Sequence, residues 1–127
     1  MRNDFTSAQK DAVESTGSII VSAAAGSGKT TVLVERVMNI ITKPENPTPI
    51  DKLLIVTFTN SAAAEMKARI EQALYERIKN EPEKEHLKEQ KYLLGSADIC
   101  TIDSFCAGFV RENFSLLGIT PDFSVST

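Results

Sequence analysis

The residues of this chain that are best suited to chemistry form a loop of small side chains ending in a lysine and two threonines. Residues 22–28 are Ser-Ala-Ala-Ala-Gly-Ser-Gly, and Lys29, Thr30 and Thr31 follow. Ala23 stands where the usual phosphate-loop pattern begins with glycine, and Gly28, Lys29 and Thr30 complete that pattern. A triphosphate can approach a backbone closely only where side chains are absent or very small. The spacing therefore predicts a site for a nucleoside triphosphate.

Each part of this loop has a chemical task in such a site. Backbone N–H groups and the positive end of the following helix would hold the phosphates. Lys29 would reach the β- and γ-phosphates, and the Thr30 hydroxyl would be a Mg²⁺ ligand, so these two are the expected catalytic residues. The alternative is a glycine-rich turn with an incidental lysine. The residues expected to bind nucleotide in the loop are Ala23, Ala24, Ala25, Gly26, Ser27, Gly28, Lys29, Thr30 and Thr31.

The segments on either side of the loop predict how it is positioned. The apolar residues 19–21 predict a buried strand before the loop, and residues 29–41 predict a helix with a broad apolar stripe. Residues 53–58 predict a second buried strand. Alternation of strand and helix at this spacing predicts an α/β fold in which helices flank a parallel sheet.

The second half of the chain continues the same alternation. Asn60 or Ser61 is expected to cap a long helix, and the densely charged residues 79–91, which include His86, predict a solvated turn and an exposed helix. Residues 98–102 predict a third strand. A helix with an aromatic stripe, expected in the core, follows from residue 104 and ends near Gly118.

Composition limits the class of protein. The 127 residues fit one domain, and 42% hydrophobic and 24% charged residues are ordinary for a globular protein. The net charge of −3 provides no general basic surface for nucleic acid. Two cysteines and a single histidine form no metal-binding pattern, and no apolar stretch is long enough to cross a membrane. We therefore expect a reduced, cytoplasmic chain with no membrane partner.

An acidic group for hydrolysis is hard to find in this sequence. A phosphate-loop hydrolase needs an acid at the end of a neighbouring strand, and Asp103 is the single candidate. A small stand-alone phosphate-loop NTPase or kinase would use Asp103 in this way, and a non-hydrolysing nucleotide-binding module would not need it. A kinase also needs arginines in a lid over the γ-phosphate, whereas the arginines after the loop fall on predicted helix faces. These are Arg36, Arg69, Arg77 and Arg111.

Two further segments carry a resemblance to a known family. Residues 57–69, Thr-Phe-Thr-Asn-Ser-Ala-Ala-Ala-Glu-Met-Lys-Ala-Arg, closely resemble the segment after the second strand in UvrD/Rep-type superfamily-one DNA helicases. Residues 101–106, Thr-Ile-Asp-Ser-Phe-Cys, resemble the family's next motif, in which histidine usually stands at the position of Asp103. The region of Gln9, on a short helix that Thr6 or Ser7 can cap, resembles the family's adenine-contacting glutamine motif.

The resemblance assigns roles to individual residues. It implies that Gln9 contacts the adenine of ATP and that Mg²⁺ accompanies the nucleotide. It also implies that a single-stranded DNA path is lined by Thr57, Phe58, Thr59, Asn60, Thr101 and Ser104. An aromatic such as Phe58 can stack on a base, whereas periodicity alone favours a place for it in the core. An acid at position 103 would repel a phosphodiester, unlike the usual histidine.

The resemblance also sets expectations for the whole protein. It implies that residues 1–127 are the N-terminal portion of the first RecA-like domain of a much larger motor, with the Asp-Glu motif, the second RecA-like domain and the nuclease beyond Thr127. The phosphate-loop segment is most similar to the helicase–nuclease branch, which processes single-stranded and duplex DNA ends in double-strand-break repair together with a second helicase/nuclease subunit. We expect the isolated chain to bind nucleotide without efficient hydrolysis.

Overall fold

The computed structural model describes residues 4–26 and 28–125, which form six α-helices and a parallel pair of strands. Short 3₁₀ turns at Ile50–Lys52 and Leu94–Ser96 precede the two strands. The helices are α1 (Ser7–Glu14), α2 (Lys29–Thr42), α3 (Asn60–Asn80), α4 (Glu85–Leu93), α5 (Ile102–Glu112) and α6 (Phe114–Leu117), and the strands are β1 (Leu54–Thr57) and β2 (Asp98–Thr101).

The two strands run parallel and in register from end to end. Leu54 pairs with Asp98, and Thr57 pairs with Thr101. Helices α3 and α4 form the connection between them, as a parallel crossover requires. Since β1 leads into α3 and β2 leads into α5, the carboxyl ends of both strands and the start of both helices lie at one edge of the sheet. The α/β class and the parallel pairing predicted for residues 53–58 and 98–102 are confirmed.

The core lies between α2, α3 and one face of β1. Apolar side chains at helical spacing on α2 and α3 are buried there, together with Ile50, Ile55 and Leu94. The helical members of this cluster are Val34, Val37, Met38 and Ile41 from α2 and Met66, Ile70 and Leu74 from α3. The helix predicted over residues 29–41 and the long helix after residue 60 are therefore confirmed.

The buried strand predicted at residues 19–21 is wrong. These residues form no strand, and the side chain of Ile20 is 98% exposed. A strand depends on hydrogen bonds from neighbouring strands, and within the described residues only β1 and β2 pair with each other. Apolar character alone does not supply such a neighbour.

Burial of the strands and of α5 is also lower than the sequence predicts. Ile55 faces the core, whereas Leu54 and Val56 project from the other face of β1 and are exposed, because α2 and α3 cover one face. The aromatic stripe of α5 includes Phe109, which is exposed, and α5 contributes no residue to the buried cluster. Helix α5 contacts the strands rather than the packed surfaces of α2 and α3.

Two smaller expectations need correction. Thr59, rather than Asn60 or Ser61, caps α3, since its hydroxyl accepts a hydrogen bond of 3.1 Å from the Ala62 N–H. His86 is not simply solvated, because Nε2 of its ring forms a 2.6 Å hydrogen bond with the carbonyl oxygen of Ile41. This bond attaches the start of α4 to the end of α2.

Candidate functional site

The phosphate-loop sequence forms a turn whose glycines adopt backbone angles that other residues avoid. Gly26 and Gly28 have φ angles of 77° and 82°, in the left-handed region. The ammonium group of Lys29 folds back over the loop, where it donates to the carbonyl oxygen of Ala23 and, at 3.5 Å, to that of Ala24. The loop therefore surrounds its own lysine with small residues, although Ser27 lies outside the described residues.

Helix α2 begins at this loop with its first N–H groups uncapped by the N-cap side chain. Gly28 is the N-cap and has no side chain to accept from them, and the first helical bond runs from the Val32 N–H to the Gly28 carbonyl. The N–H groups of the first turn, which includes Thr30 and Thr31, point toward the loop end of the helix. An anion bound here would meet backbone donors, the positive helix end and the Lys29 cation, so these residues fit a phosphate group.

Helix α1 brings Gln9 to the same loop. Thr6 and Gln9 form a capping box, in which the Gln9 Oε1 accepts from the Thr6 N–H at 2.9 Å. The Nε2 atom of Gln9 lies 3.5 Å from the point where a Cβ on Gly28 would stand. The structure thus brings together Gln9 and Gly28, which are remote in sequence.

The carboxyl ends of the two strands carry hydroxyl groups side by side. Thr57 and Thr101 are partners in the parallel register, and the Thr57 hydroxyl donates to the Thr59 carbonyl oxygen at 2.9 Å. Thr101 is 8% exposed, and its hydroxyl both accepts from the Ser104 N–H and donates to the Ser104 Oγ. Ser104 is itself exposed. Thr101 therefore holds the first turn of α5 in place, and Ser104 presents its hydroxyl at the surface.

Phe58 stands at this edge with its side chain 93% exposed. It is therefore not part of the core, which is the place that periodicity alone favours. Asn60 begins α3 beside it and is also exposed. Asp103 lies in the exposed first turn of α5, where a carboxylate interacts favourably with the positive end of the helix.

A pocket of about 290 Å³ joins the phosphate-loop helix to the strand edge. It is lined by Thr30 of α2, by the residues after β1 and by the first two turns of α3, namely Thr30, Thr57, Phe58, Thr59, Ala62, Glu65 and Met66. The predicted Mg²⁺ ligand and three of the predicted DNA-contacting residues thus share one cavity.

Sequence reasoning missed the part of this pocket that α3 contributes. Glu65 is the acidic residue in the described lining, and a 2.8 Å ion pair joins it to Arg69 one turn later. The sequence pattern alone places it on the outer face of the helix. Its spacing of one to two turns after Thr59 is the available signal, since residues three and four apart share a helix face.

Two searches of the described residues give negative results that bear on other classes of site. No group of three or more histidine, cysteine, aspartate or glutamate side chains in residues 4–26 and 28–125 could hold a metal ion. No helix in the same ranges is long and apolar enough to cross a membrane.

Comparison with known proteins identifies the family. The UvrD/REP helicase N-terminal domain matches residues 5–127. The chain is 52% identical over 126 residues to the AddA-type ATP-dependent helicase/nuclease subunit of Thermoanaerobacter sp. (strain X514), covering 98% of this chain and 10% of that protein. Proteins of the same name from Acetivibrio thermocellus and Clostridium acetobutylicum are 48% and 46% identical, with the same coverage of 98% and 10%.

The chain therefore spans about a tenth of the length of these curated relatives. The match extends through the phosphate loop, β1, α3 and β2, which are the elements that build the site. The resemblance inferred from residues 57–69 and 101–106 is confirmed, and this chain belongs to the UvrD/REP helicase N-terminal domain family.

Proposed function

We propose that this chain is the ATP-binding portion of an ATP-dependent DNA helicase/nuclease. The observation that carries the proposal is the shared pocket, which places Thr30 of the phosphate-loop helix in the same cavity as Thr57, Phe58 and Thr59. A motor needs its nucleotide site and its DNA site to be in contact so that a change at one alters the other. The family and the name of the relatives support the same activity.

The nucleotide part of the proposal depends on the loop and α2. The residues from Ala23 to Thr31 would surround the phosphates of ATP, with Lys29 moving its ammonium group from the carbonyls of Ala23 and Ala24 to the phosphate oxygens. The Thr30 hydroxyl would be the Mg²⁺ ligand that this chain supplies. Gln9, next to Gly28, would contact the adenine. When bound, ATP would supply the free energy for movement along DNA.

The DNA part of the proposal depends on the strand edge. Phe58 would stack on a base of single-stranded DNA, because its ring is already exposed there. Neutral groups would contact the sugar–phosphate backbone around it, and Thr101 would act mainly by positioning Ser104. These neutral groups are Thr57, Thr59, Asn60 and Ser104.

The remaining parts of the proposal concern the whole protein. Residues 1–127 would be the N-terminal portion of its first RecA-like domain, and the whole would unwind and digest DNA ends in double-strand-break repair with a second protein of the AddB type. Asp103 does not line the pocket beside Thr30 in the described lining. We therefore expect this chain alone to bind ATP without efficient hydrolysis.

Lys29→Ala tests the nucleotide site. The substitution removes the loop cation, so we expect Mg²⁺-ATP binding measured by titration calorimetry to fall below detection. Lys43→Ala is the matched control, since Lys43 lies at the opposite end of α2 and makes the same change of charge. Unchanged ATP affinity in the Lys29 variant, or equal losses in both variants, would refute the phosphate-site assignment.

A further inference from the structure

We propose that Arg36 is a positioning residue that sets the nucleotide-base preference of the ATP site by holding α1, and with it Gln9, against the phosphate loop. This inference rests on the proposed ATP site and names a determinant of its specificity. Arg36 lies on α2, away from the loop in sequence, and the sequence pattern alone gives it only a place on a helix face.

The Arg36 side chain caps the carboxyl end of α1. Its Nη1 donates to the carbonyl oxygen of Ala12 at 2.7 Å and to that of Ser15 at 2.8 Å, with a longer contact of 3.4 Å to Val13. The last carbonyl groups of a helix have no partner within the helix and carry partial negative charge. A guanidinium therefore satisfies them better than a neutral donor would.

Helix α1 has little else to hold it in this position. Ala12 is its one buried residue in the described part of the chain, and α1 has no basic residue of its own in its last turn. Asn39, one turn after Arg36, adds a 3.3 Å hydrogen bond to the Val13 carbonyl. The polar contacts from α2 therefore determine much of the attachment of α1.

The same attachment determines where Gln9 lies. Gln9 is on α1 and its Nε2 approaches the Cβ direction of Gly28 at 3.5 Å, while Gly28 begins α2. Arg36 is about two turns along α2 from Gly28. One end of α1 is thus fixed by Arg36, and the other end presents Gln9 to the loop. A shift of α1 would move the Gln9 amide away from the base of a bound nucleotide and leave Lys29 in place.

The test compares ATP and GTP binding by calorimetry in the presence of Mg²⁺, using the full chain. One hydrogen bond between side chain and base accounts for a factor of about three to ten in affinity. We expect Arg36→Met to weaken ATP binding by about that factor, to leave GTP binding unchanged, and to match Gln9→Ala. The double variant should bind ATP no more weakly than Gln9→Ala alone, because both changes remove the same contact.

Two further variants separate positioning from general stability. Arg36→Lys keeps a cation that can reach the carbonyls and should restore part of the preference for ATP. Arg77→Met is the matched control, since Arg77 also links α2 to another helix, through a 3.7 Å ion pair with Glu35, but lies on α3 rather than contacting α1. Should Arg36→Met fail to fold, Arg36→Lys and Asn39→Ala must show a smaller loss of the same preference.

The outcomes distinguish this inference from the proposed function. Equal weakening of ATP and GTP by Arg36→Met, or no change in either, overturns the positioning role while the ATP site stands. A wild-type chain that binds ATP and GTP equally overturns the role of Gln9 and therefore of Arg36. A wild-type chain that binds neither nucleotide overturns the proposed function itself.

Discussion

Phe58 shows how a single residue can indicate a binding surface. A large apolar side chain exposed to water gains free energy when a ligand covers it, and Phe58 lies at the carboxyl end of β1 beside a cavity. Ligands of parallel sheets generally bind at this edge. The exposed ring, the uncapped start of α2 and the folded-back Lys29 lie on the parts of the chain that the family match covers.

Phe58→Ala should weaken single-stranded DNA binding by about 1–3 kcal/mol, the usual contribution of a stacked base, and leave ATP affinity nearly unchanged. Fluorescence anisotropy with a labelled oligothymidylate measures the first quantity, and calorimetry measures the second. Tyr92→Ala is the control, because Tyr92 is a similarly exposed aromatic on α4 that does not line the described pocket. Equal losses of DNA and ATP affinity would show that Phe58 supports the fold instead.

Individual elements differ in how far sequence determines them. Helices α2 and α3 are predictable because their apolar periodicity is a local property. Residues 19–21 are not, because a strand forms only with a neighbour that local sequence does not specify. The site divides in the same way. The loop residues follow from spacing, whereas the approach of Gln9 to Gly28 and the contacts of Arg36 depend on how α1 packs.

Helix α3 supplies a prediction at the scale of an element. Its N-cap bond, from the Ala62 N–H to the Thr59 hydroxyl, would be lost in Thr59→Ala. We expect the free energy of unfolding, measured with urea, to fall by about 1 kcal/mol. Thr59→Ser keeps the hydroxyl and should recover most of the loss. If the serine variant were as unstable as the alanine variant, the threonine methyl group rather than the cap would be responsible.

The charge of the whole molecule affects how it would bind DNA. The net charge is −3, and the strand-edge groups proposed to contact DNA are neutral, with Asp103 and the paired Glu65 close to them in sequence. Binding to phosphates by lysine and arginine releases counterions and makes affinity depend strongly on salt. Stacking and neutral hydrogen bonds release few counterions.

Affinity of this chain for single-stranded DNA should therefore depend weakly on salt. Neutralising each phosphate of a single strand contributes a slope of about −0.7 to a plot of log affinity against log salt, and we expect a slope shallower than about −1.5. Anisotropy titrations between about 50 and 200 mM salt measure it. A slope steeper than about −3 would place the contacts on a cationic surface and away from the strand edge.

The parallel register of β1 and β2 also has a consequence for how the molecule folds. Residues 58–97 separate the two strands, so their pairing must close a long loop, whereas the turns of α2 and α3 form from neighbouring residues. Contacts between distant residues form slowly, since the entropy of closure is lost before the contacts are made. During refolding, helical signal should therefore return before Thr57 and Thr101 become neighbours, and the strand edge should be among the last surfaces to form.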